Sequence, residues 1–337
     1  MRAAAGSPVA ILGAGSWGTA LAVVLAGNGY HSLLWGHDPA RMASMARERT
    51  NSLYLPGIRF PDALQVRNDL VSLAKECERF LIAVPSAGFR ATLETLAPHA
   101  PPAAIVASAT KGLEPGSGKL LSEVCSAVLG TQRRIAVISG PTFAREVARG
   151  LPAAMTVAAR NPQTAEAVAV WLRNDHLRVY TSEDLVGVQL GGAVKNVMAI
   201  ATGISDGLGL GANARAALIT RGLAEIERLG MALGGRPETF MGLTGMGDLV
   251  LTCTDDQSRN RQVGLALGRG SSLADTLAGL GQVAEGVGTA REVWSLARRL
   301  GVDMPITEQV YRVLFKGLAP REAVAALLRR EPKQEKS

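Results

Sequence analysis

The stretch "VAILGAGSWGTALAVVLAGNG", residues 9–29, decides how the chain is read. Its first four residues, Val9 to Leu12, have the length and apolar character of a buried strand. They lead into Gly13, Gly15 and Gly18, spaced G-x-G-x-x-G, and then into an apolar helical run stopped by Gly27 and Gly29. Gly13 permits a tight turn, Gly15 lets a pyrophosphate approach the main chain, and Gly18 lets the helix pack on the strand. The free N–H groups of the helix's first turn then face the anion. A second strand, "HSLLWG" (31–36), follows at the right distance, so the motif reads as a dinucleotide site rather than a structural glycine turn.

Outward from this unit, short β-type runs keep alternating with helical ones. "ERFLIAV" (78–84), "AAIVASA" (103–109), "RIAVIS" (134–139), "AAMTVAA" (153–159) and "LRVYTS" (177–182) read as further strands. Such alternation predicts a parallel sheet covered by helices on both faces. After residue 182 the β signal stops and long helical runs take over, among them "ARAALITRGLAEIERLGMALG" (214–234) and "TAREVWSLARRLG" (289–301). The fold class expected is an α/β Rossmann-type N-terminal domain over 1–182 with an all-α C-terminal domain over 183–337. At ~150 residues per domain, 337 residues suit two.

Composition narrows the functional classes. Hydrophobic residues make up 47 % and aromatics only 4 %, with 38 glycines, so a large core of closely packed small residues is expected. Cys77, Cys125 and Cys253 are odd in number and far apart, which fits neither a disulfide framework nor a zinc site and points to a reducing compartment. The net charge of +7 comes from dispersed Lys and Arg with few aromatics, so nucleic acid is not the expected partner. Small anionic ligands drawn into a positive cleft, or a basic background without function, fit better. His31, His37, His99 and His176 lack ligand spacing, and no metal is expected. The N-terminal "MRAAAGSP" runs straight into the first strand and makes a poor leader peptide, while the tail "RREPKQEKS" reads as charged and frayed.

The run Leu185–Ile204 is long enough to span a bilayer, but Gln189, Lys195 and Asn196 lie in it. A central lysine costs ~2.5–3.5 kcal/mol on insertion scales. A buried helix is therefore expected, not a membrane span. Lys195 is the only charge between Leu185 and Ser205, and a buried ammonium either lowers its pKa or finds a partner. A lysine snorkelling from a helix edge is the plain alternative.

Other polar residues fall where ligands bind in open α/β sheets, just beyond strand ends. Lys111 follows "ASAT"; Gly140, Thr142 and Ala144 stand in "ISGPTFARE". Each could belong to an ordinary β–α loop. "KGLEPGSGK" fails as a phosphate-binding P-loop, because its spacing is one residue too long and Leu120 stands where Ser or Thr is needed. "LTGMGDLVLTCT" places Asp248, and "GQVAEGVG" places Glu285, in glycine-rich turns where either could be a helix cap. Ser258, Arg259 and Asn260 open a helix. There an arginine fork and free N–H groups suit phosphate, although a solvated basic turn would look the same. At the tip of the second strand, His37 with Arg41 nearby favours NADP(H). Asp38 leaves NAD(H) open unless it only caps the helix that Pro39 begins.

Together, "GAGSWGTALA", "LLWGHDP", "ATKGLE", "AVISGPTFA", "GVQLGGAVKN", "GISDGLGLGANARAALITRGLAE", "GDLVLTCTD" and "SRNRQVG" resemble the bacterial NAD(P)-dependent glycerol-3-phosphate dehydrogenases, in family order from about residue 9 to 315. The stretch after Glu285 departs from the family's usual residues. The resemblance implies reversible hydride transfer between NAD(P)H and dihydroxyacetone phosphate, giving sn-glycerol 3-phosphate for phospholipid synthesis in a cytoplasmic homodimer. It implies that Lys195 is the catalytic lysine. It assigns Lys111, Gly140, Thr142, Asp248, Ser258, Arg259 and Asn260 to the substrate, and Ser16, Trp17, His37, Lys111, Ala144, Arg259, Val283 and Glu285 to the cofactor beside Gly13, Gly15 and Gly18. Asp248 would orient Lys195 or hold its charge, and Asn196 would add a hydrogen bond. Two alternatives are a β-hydroxyacid dehydrogenase, which would not require "SRNRQVG", and a cofactor-sensing regulator without catalysis.

Overall fold

The structure is a computed structural model that describes residues 8–331; the readings of the N-terminal segment and the charged tail fall in large part outside the described residues. The described residues form ten strands: β1 (Val9–Leu12), β2 (Ser32–Trp35), β3 (Thr50–Asn51), β4 (Leu55–Arg59), β5 (Leu64–Arg67), β6 (Arg79–Ile82), β7 (Ile105–Ser108), β8 (Arg134–Ser139), β9 (Ala153–Ala158) and β10 (Leu177–Ser182). Between them lie α1 (Ser16–Gly27), α2 (Pro39–Glu48), α3 (Leu70–Glu76), α4 (Ser86–Leu96), α5 (Leu121–Leu129), α6 (Ala144–Ala148) and α7 (Pro162–Leu172). Eight strands form one sheet in the order β10-β9-β8-β7-β6-β1-β2-β5, and β3 pairs with β4 separately.

Along β1, Val9 and Ile11 enter the apolar cluster on one face of the sheet, Ala10 and Leu12 the cluster on the other. Burial on both faces is what makes such strands read as unbroken apolar runs. The expectation of a parallel sheet needs one correction: β8 and β9 are antiparallel, with Val137 opposite Ala158. A parallel return requires a crossover, usually a full helix. The link here carries only the five-residue α6, which packs against α1. β3, β4 and β5 were not foreseen; their half-exposed residues lack a strong apolar period.

From residue 185 on, the described residues are helical: α8 (Leu185–Gly207), α9 (Gly211–Ala232), α10 (Pro237–Phe240), a π-turn at Leu243–Gly247, α11 (Asp248–Thr254), α12 (Arg259–Gly268), α13 (Leu273–Leu280), α14 (Glu285–Leu300), α15 (Pro305–Lys316) and α16 (Pro320–Leu328). Asp184 starts α8 by accepting a hydrogen bond from Gly187 N at 2.8 Å. The helix is long and apolar enough to cross a bilayer, yet 89 % of its most apolar stretch is buried inside the protein. Val194, Val197 and Ile200 are fully buried, and each such side chain stabilises the fold by ~1.5–3 kcal/mol. α12 crosses α8 backbone to backbone: a Cβ on Gly264 would stand 2.8 Å from Gly203 Cα, and one on Gly268 2.9 Å from Gly207 Cα.

Candidate active site

The site begins where the strand order reverses, with β1 between β6 and β2. Gly13 takes φ +123°, and a Cβ there would lie 2.6 Å from Ala83 C at the end of β6. Only glycine fits that turn. Gly18 faces back onto the Gly13 carbonyl, so the helix can sit close. A Cβ on Gly15, in contrast, would meet nothing within 4 Å. The space above the first turn of α1 is therefore open to a ligand, and the Trp17 indole N–H beside it is buried without a partner among the described residues. These residues fit a dinucleotide: a tight turn, close packing and an open anion seat, each where that ligand needs it.

Around the seat, Ser16 Oγ donates to Tyr54 O at 2.6 Å and approaches Gln282 Oε1 at 3.4 Å. Asn51 and Arg41 both donate to Ala14 O, at 3.0 and 2.6 Å, and hold the glycine loop from outside. The Arg41 guanidinium also stacks 4.0 Å from the Tyr54 ring centre. Asp38 does cap a helix: its carboxylate accepts from Arg41 N at 3.1 Å at the start of α2. His37 is exposed just beyond β2.

Across the cleft, Lys195 is 6 % exposed and Asp248 1 %. Their ammonium and carboxylate are hydrogen-bonded, and Lys195 Nζ also donates to Thr252 Oγ1 at 2.7 Å. The other Asp248 oxygen accepts from Lys111 Nζ at 2.7 Å. Lys111, from the loop after β7, further donates to Gly140 O at 3.0 Å, the same carbonyl that accepts from Thr142 Oγ1 at 3.1 Å. Five residues singled out in the sequence thus share one hydrogen-bonded cluster. Burial pulls the Lys195 ammonium down from 10.5 to about 8; Asp248 opposes the fall and Lys111 adds to it. A lysine with that pKa can give and take a proton near neutrality. Asn196, 6 % exposed, follows Lys195 on α8.

Ser258 caps α12, accepting from Arg261 N at 3.2 Å. Arg259 opens the helix and reaches Gln282 Oε1 at 3.3 Å. The Asn260 side-chain oxygen accepts from Gly286 N at 2.9 Å at the start of α14, which ties the first turn of α12 to that helix. Glu285, first residue of α14, reaches across the cleft to Ser86 N at 3.1 Å and Ser86 Oγ at 2.6 Å. Burial pushes its carboxyl above the usual range, against Ser86 and Arg259. Ala144 opens α6 and packs, with Trp17, against Ala20, Leu55 and Ile58, while Val283 stands 53 % exposed on the loop before α14. No hydrogen bond joins His37 or Val283 to the rest of the site among the described residues.

Thr252, Ser86 and Gln282 were missed. Thr252 lies four residues after Asp248, one helical turn on, and Ser86 follows β6 at the ligand edge, so spacing alone could have flagged both. An apolar cavity of about 640 Å³ also opens between α8, α9, α15 and α16, but it is lined by none of the site residues above.

A glycine-cradled sheet edge facing a buried lysine on a helical partner defines a class, the two-part nicotinamide-dependent dehydrogenases. Within it, the chain belongs to the NAD-dependent glycerol-3-phosphate dehydrogenase family: residues 8–165 match the model of that family's N-terminus and residues 184–325 that of its C-terminus. It is 58 % identical over 328 residues to the glycerol-3-phosphate dehydrogenase [NAD(P)+] of Thioalkalivibrio sulfidiphilus, covering 97 % of this chain and 98 % of that one. With the enzyme of the same name from Pasteurella multocida it shares 53 % over 330 residues, 98 % of each. The crystal structure of glycerol-3-phosphate dehydrogenase from Coxiella burnetii superposes with a TM-score of 0.94 at 47 % identity, covering 96 % of this chain and 99 % of that one.

Proposed function

We propose that the chain is an NAD(P)-dependent sn-glycerol-3-phosphate dehydrogenase, dividing near residue 182 into a cofactor-binding part and a helical part that supplies the catalytic lysine. The observation that carries the reading is the single buried carboxylate of Asp248 shared by Lys195 and Lys111. Gly13, Gly15, Ser16, Trp17 and Gly18 hold the dinucleotide at the first turn of α1, with His37, Lys111, Ala144, Arg259, Val283 and Glu285 as further contacts. When bound, the nicotinamide supplies the hydride to C2 of dihydroxyacetone phosphate, or takes it from sn-glycerol 3-phosphate.

The protein's own groups handle the proton and the charge. Lys195, as ammonium, stabilises the negative charge that grows on the C2 oxygen and gives it a proton; as amine it takes that proton back in the reverse direction. Asp248 and Thr252 aim the ammonium, and Asn196 adds a hydrogen bond. Lys111, Gly140 and Thr142 line the carbonyl end. Arg259 and Asn260, with the capped turn at Ser258, hold the phosphate, and that binding energy positions the carbonyl.

Because Asp38 spends its carboxylate on the cap of α2, it is a poor partner for a ribose 2′-hydroxyl. This supports NADP(H), with NAD(H) as the second cofactor. The same reading carries a cytoplasmic homodimer that feeds phospholipid synthesis. The test is direct: purified protein with dihydroxyacetone phosphate should consume NADPH and, less efficiently, NADH, read as loss of their absorbance. Consumption of neither would remove the proposal.

A further inference from the structure

One buried charge pair is not used by the chemistry above. Arg261 is 7 % exposed, and its guanidinium donates to Asp206 Oδ2, to Asp256 Oδ1 at 2.9 Å and to Cys253 O at 3.3 Å. Asp206 also accepts from Arg215 of α9 at 2.8 Å. Taking such a pair out of water carries a desolvation cost that the attraction must first repay, so it is a poor device for stability alone. Its better-attested use is to fix a register.

The register in question is visible along α8. Lys195 and Asp206 are eleven residues apart on that helix, close to three full turns, so they lie on nearly the same face about 16 Å apart. Lys195 holds Asp248 and Thr252 of α11. Asp206 holds Arg261, two residues into α12 beyond Arg259. The segment 248–261 is thus pinned at both ends to one helix, and the turn between the pins is tied by Asp256 to Arg261 and by Gln257 Nε2 to Glu146 of α6 at 2.9 Å. The first turn of α12 that carries Arg259 and Asn260 is held on α8 by the Arg261–Asp206 pair and by main-chain packing of Arg261 on Gly203, and on α14 by Asn260 with Gly286 N.

We propose that Arg261 and Asp206 are positioning residues for the phosphate end of the substrate: they set the distance from the Lys195 ammonium to the N-terminus of α12, and with it the preference for a phosphate attached one carbon from the reacting carbonyl. Neither residue touches substrate. The inference rests on the reading that the first turn of α12 binds phosphate, and its test separates the two.

Asp206→Asn, Arg261→Lys and Arg259→Ala are assayed at saturating NADPH on dihydroxyacetone phosphate and on dihydroxyacetone, which lacks the phosphate, with thermal unfolding recorded alongside. Displacing α12 by about an ångström should lower kcat/KM for the phosphorylated substrate by ~10–100-fold in Asp206→Asn, and by less in Arg261→Lys, which keeps the charge. Turnover of dihydroxyacetone should stay within about twofold, since no phosphate is there to misplace. Equal losses on both substrates, or no loss on either, in Asp206→Asn and Arg261→Lys overturn the positioning role while Arg259→Ala still lowers kcat/KM for the phosphorylated substrate. If Arg259→Ala spares the phosphorylated substrate, the phosphate assignment falls and the positioning role falls with it. Should Asp206→Asn fail to fold, Arg261→Lys carries the same comparison.

Discussion

Lys195 and Lys111 reach the same carboxylate from opposite sides: one rises from the middle of α8, the other from the loop after β7, and each holds a different oxygen of Asp248. Two cations share one anion at the seam between the sheet and the helices. The carboxylate cannot neutralise both, so a positive field persists where an oxygen turns anionic during reduction. Lys111 also keeps the Lys195 proton loosely held, because its like charge disfavours a second ammonium nearby.

Replacing Lys195 with alanine should lower turnover by roughly 10²–10⁴-fold, the usual weight of a proton-transfer group. Binding of NADPH, followed through quenching of Trp17 fluorescence, should persist. Wild-type turnover in Lys195→Ala would refute the catalytic assignment.

Activity should respond to pH with opposite signs in the two directions. Lys195 is charged below about pH 8 and neutral above it. Reduction of dihydroxyacetone phosphate needs the ammonium, so kcat/KM should fall as pH rises through about 8. Oxidation of sn-glycerol 3-phosphate needs the amine and should rise over the same interval. Parallel profiles in both directions would contradict the proton role.

Gly15 and Gly18 should separate cofactor binding from folding. Gly15→Ala puts a methyl group into open space, so the thermal midpoint should hold while affinity for NADPH drops. Gly18→Ala drives a methyl into the Gly13 carbonyl and should destabilise the fold by ~1–3 kcal/mol, the usual range for overpacking. Calorimetry and a binding titration on both variants decide it; similar behaviour of the two would mean the seat above α1 is not a ligand site.

Glu225 should make stability depend on pH. It is 1 % exposed and accepts from Thr307 N at 3.1 Å and Thr307 Oγ1 at 3.0 Å, and from Ile306 N, at the start of α15. Burial pushes its carboxyl up from 4.5 to about 7, against those donors. Between these values the folded protein keeps a proton that the unfolded chain has lost. Stability therefore falls as pH rises through that window, by on the order of 3 kcal/mol once it is crossed. The advantage in Tm of the wild type over Glu225→Gln should be larger at pH 5 than at pH 8. A difference independent of pH would count against the shift.

How much of this was legible beforehand depended on locality. The glycine turn, the seven strands read from residues 9–182 and the lysine in an apolar helix could be read because each is written in a few consecutive residues. Asp248 was recognisable as a lone acid in an apolar stretch, but its contact with Lys111 joins residues 137 positions apart, brought together by the packing of α11 on α8 and of α8 on β8. Asn260 was marked by its place at a helix start; that its side-chain oxygen also serves α14 depends on a third helix, 26 residues on. The antiparallel turn at β9 was hidden because a strand's direction leaves no mark on its own residues.

The crossing of α8 and α12 at Gly203–Gly264 and Gly207–Gly268 leaves no side-chain cushion between the two helices. A cushioned pair can slide as side chains change rotamer; main chains in direct contact move as a single stiff beam. Heat, ligand entry or a distant mutation would therefore flex the cleft at its loops before it moved the beam, and it takes a change in the ion pair at the beam's own edge, Asp206 with Arg261, to re-aim the turn that grips the anion.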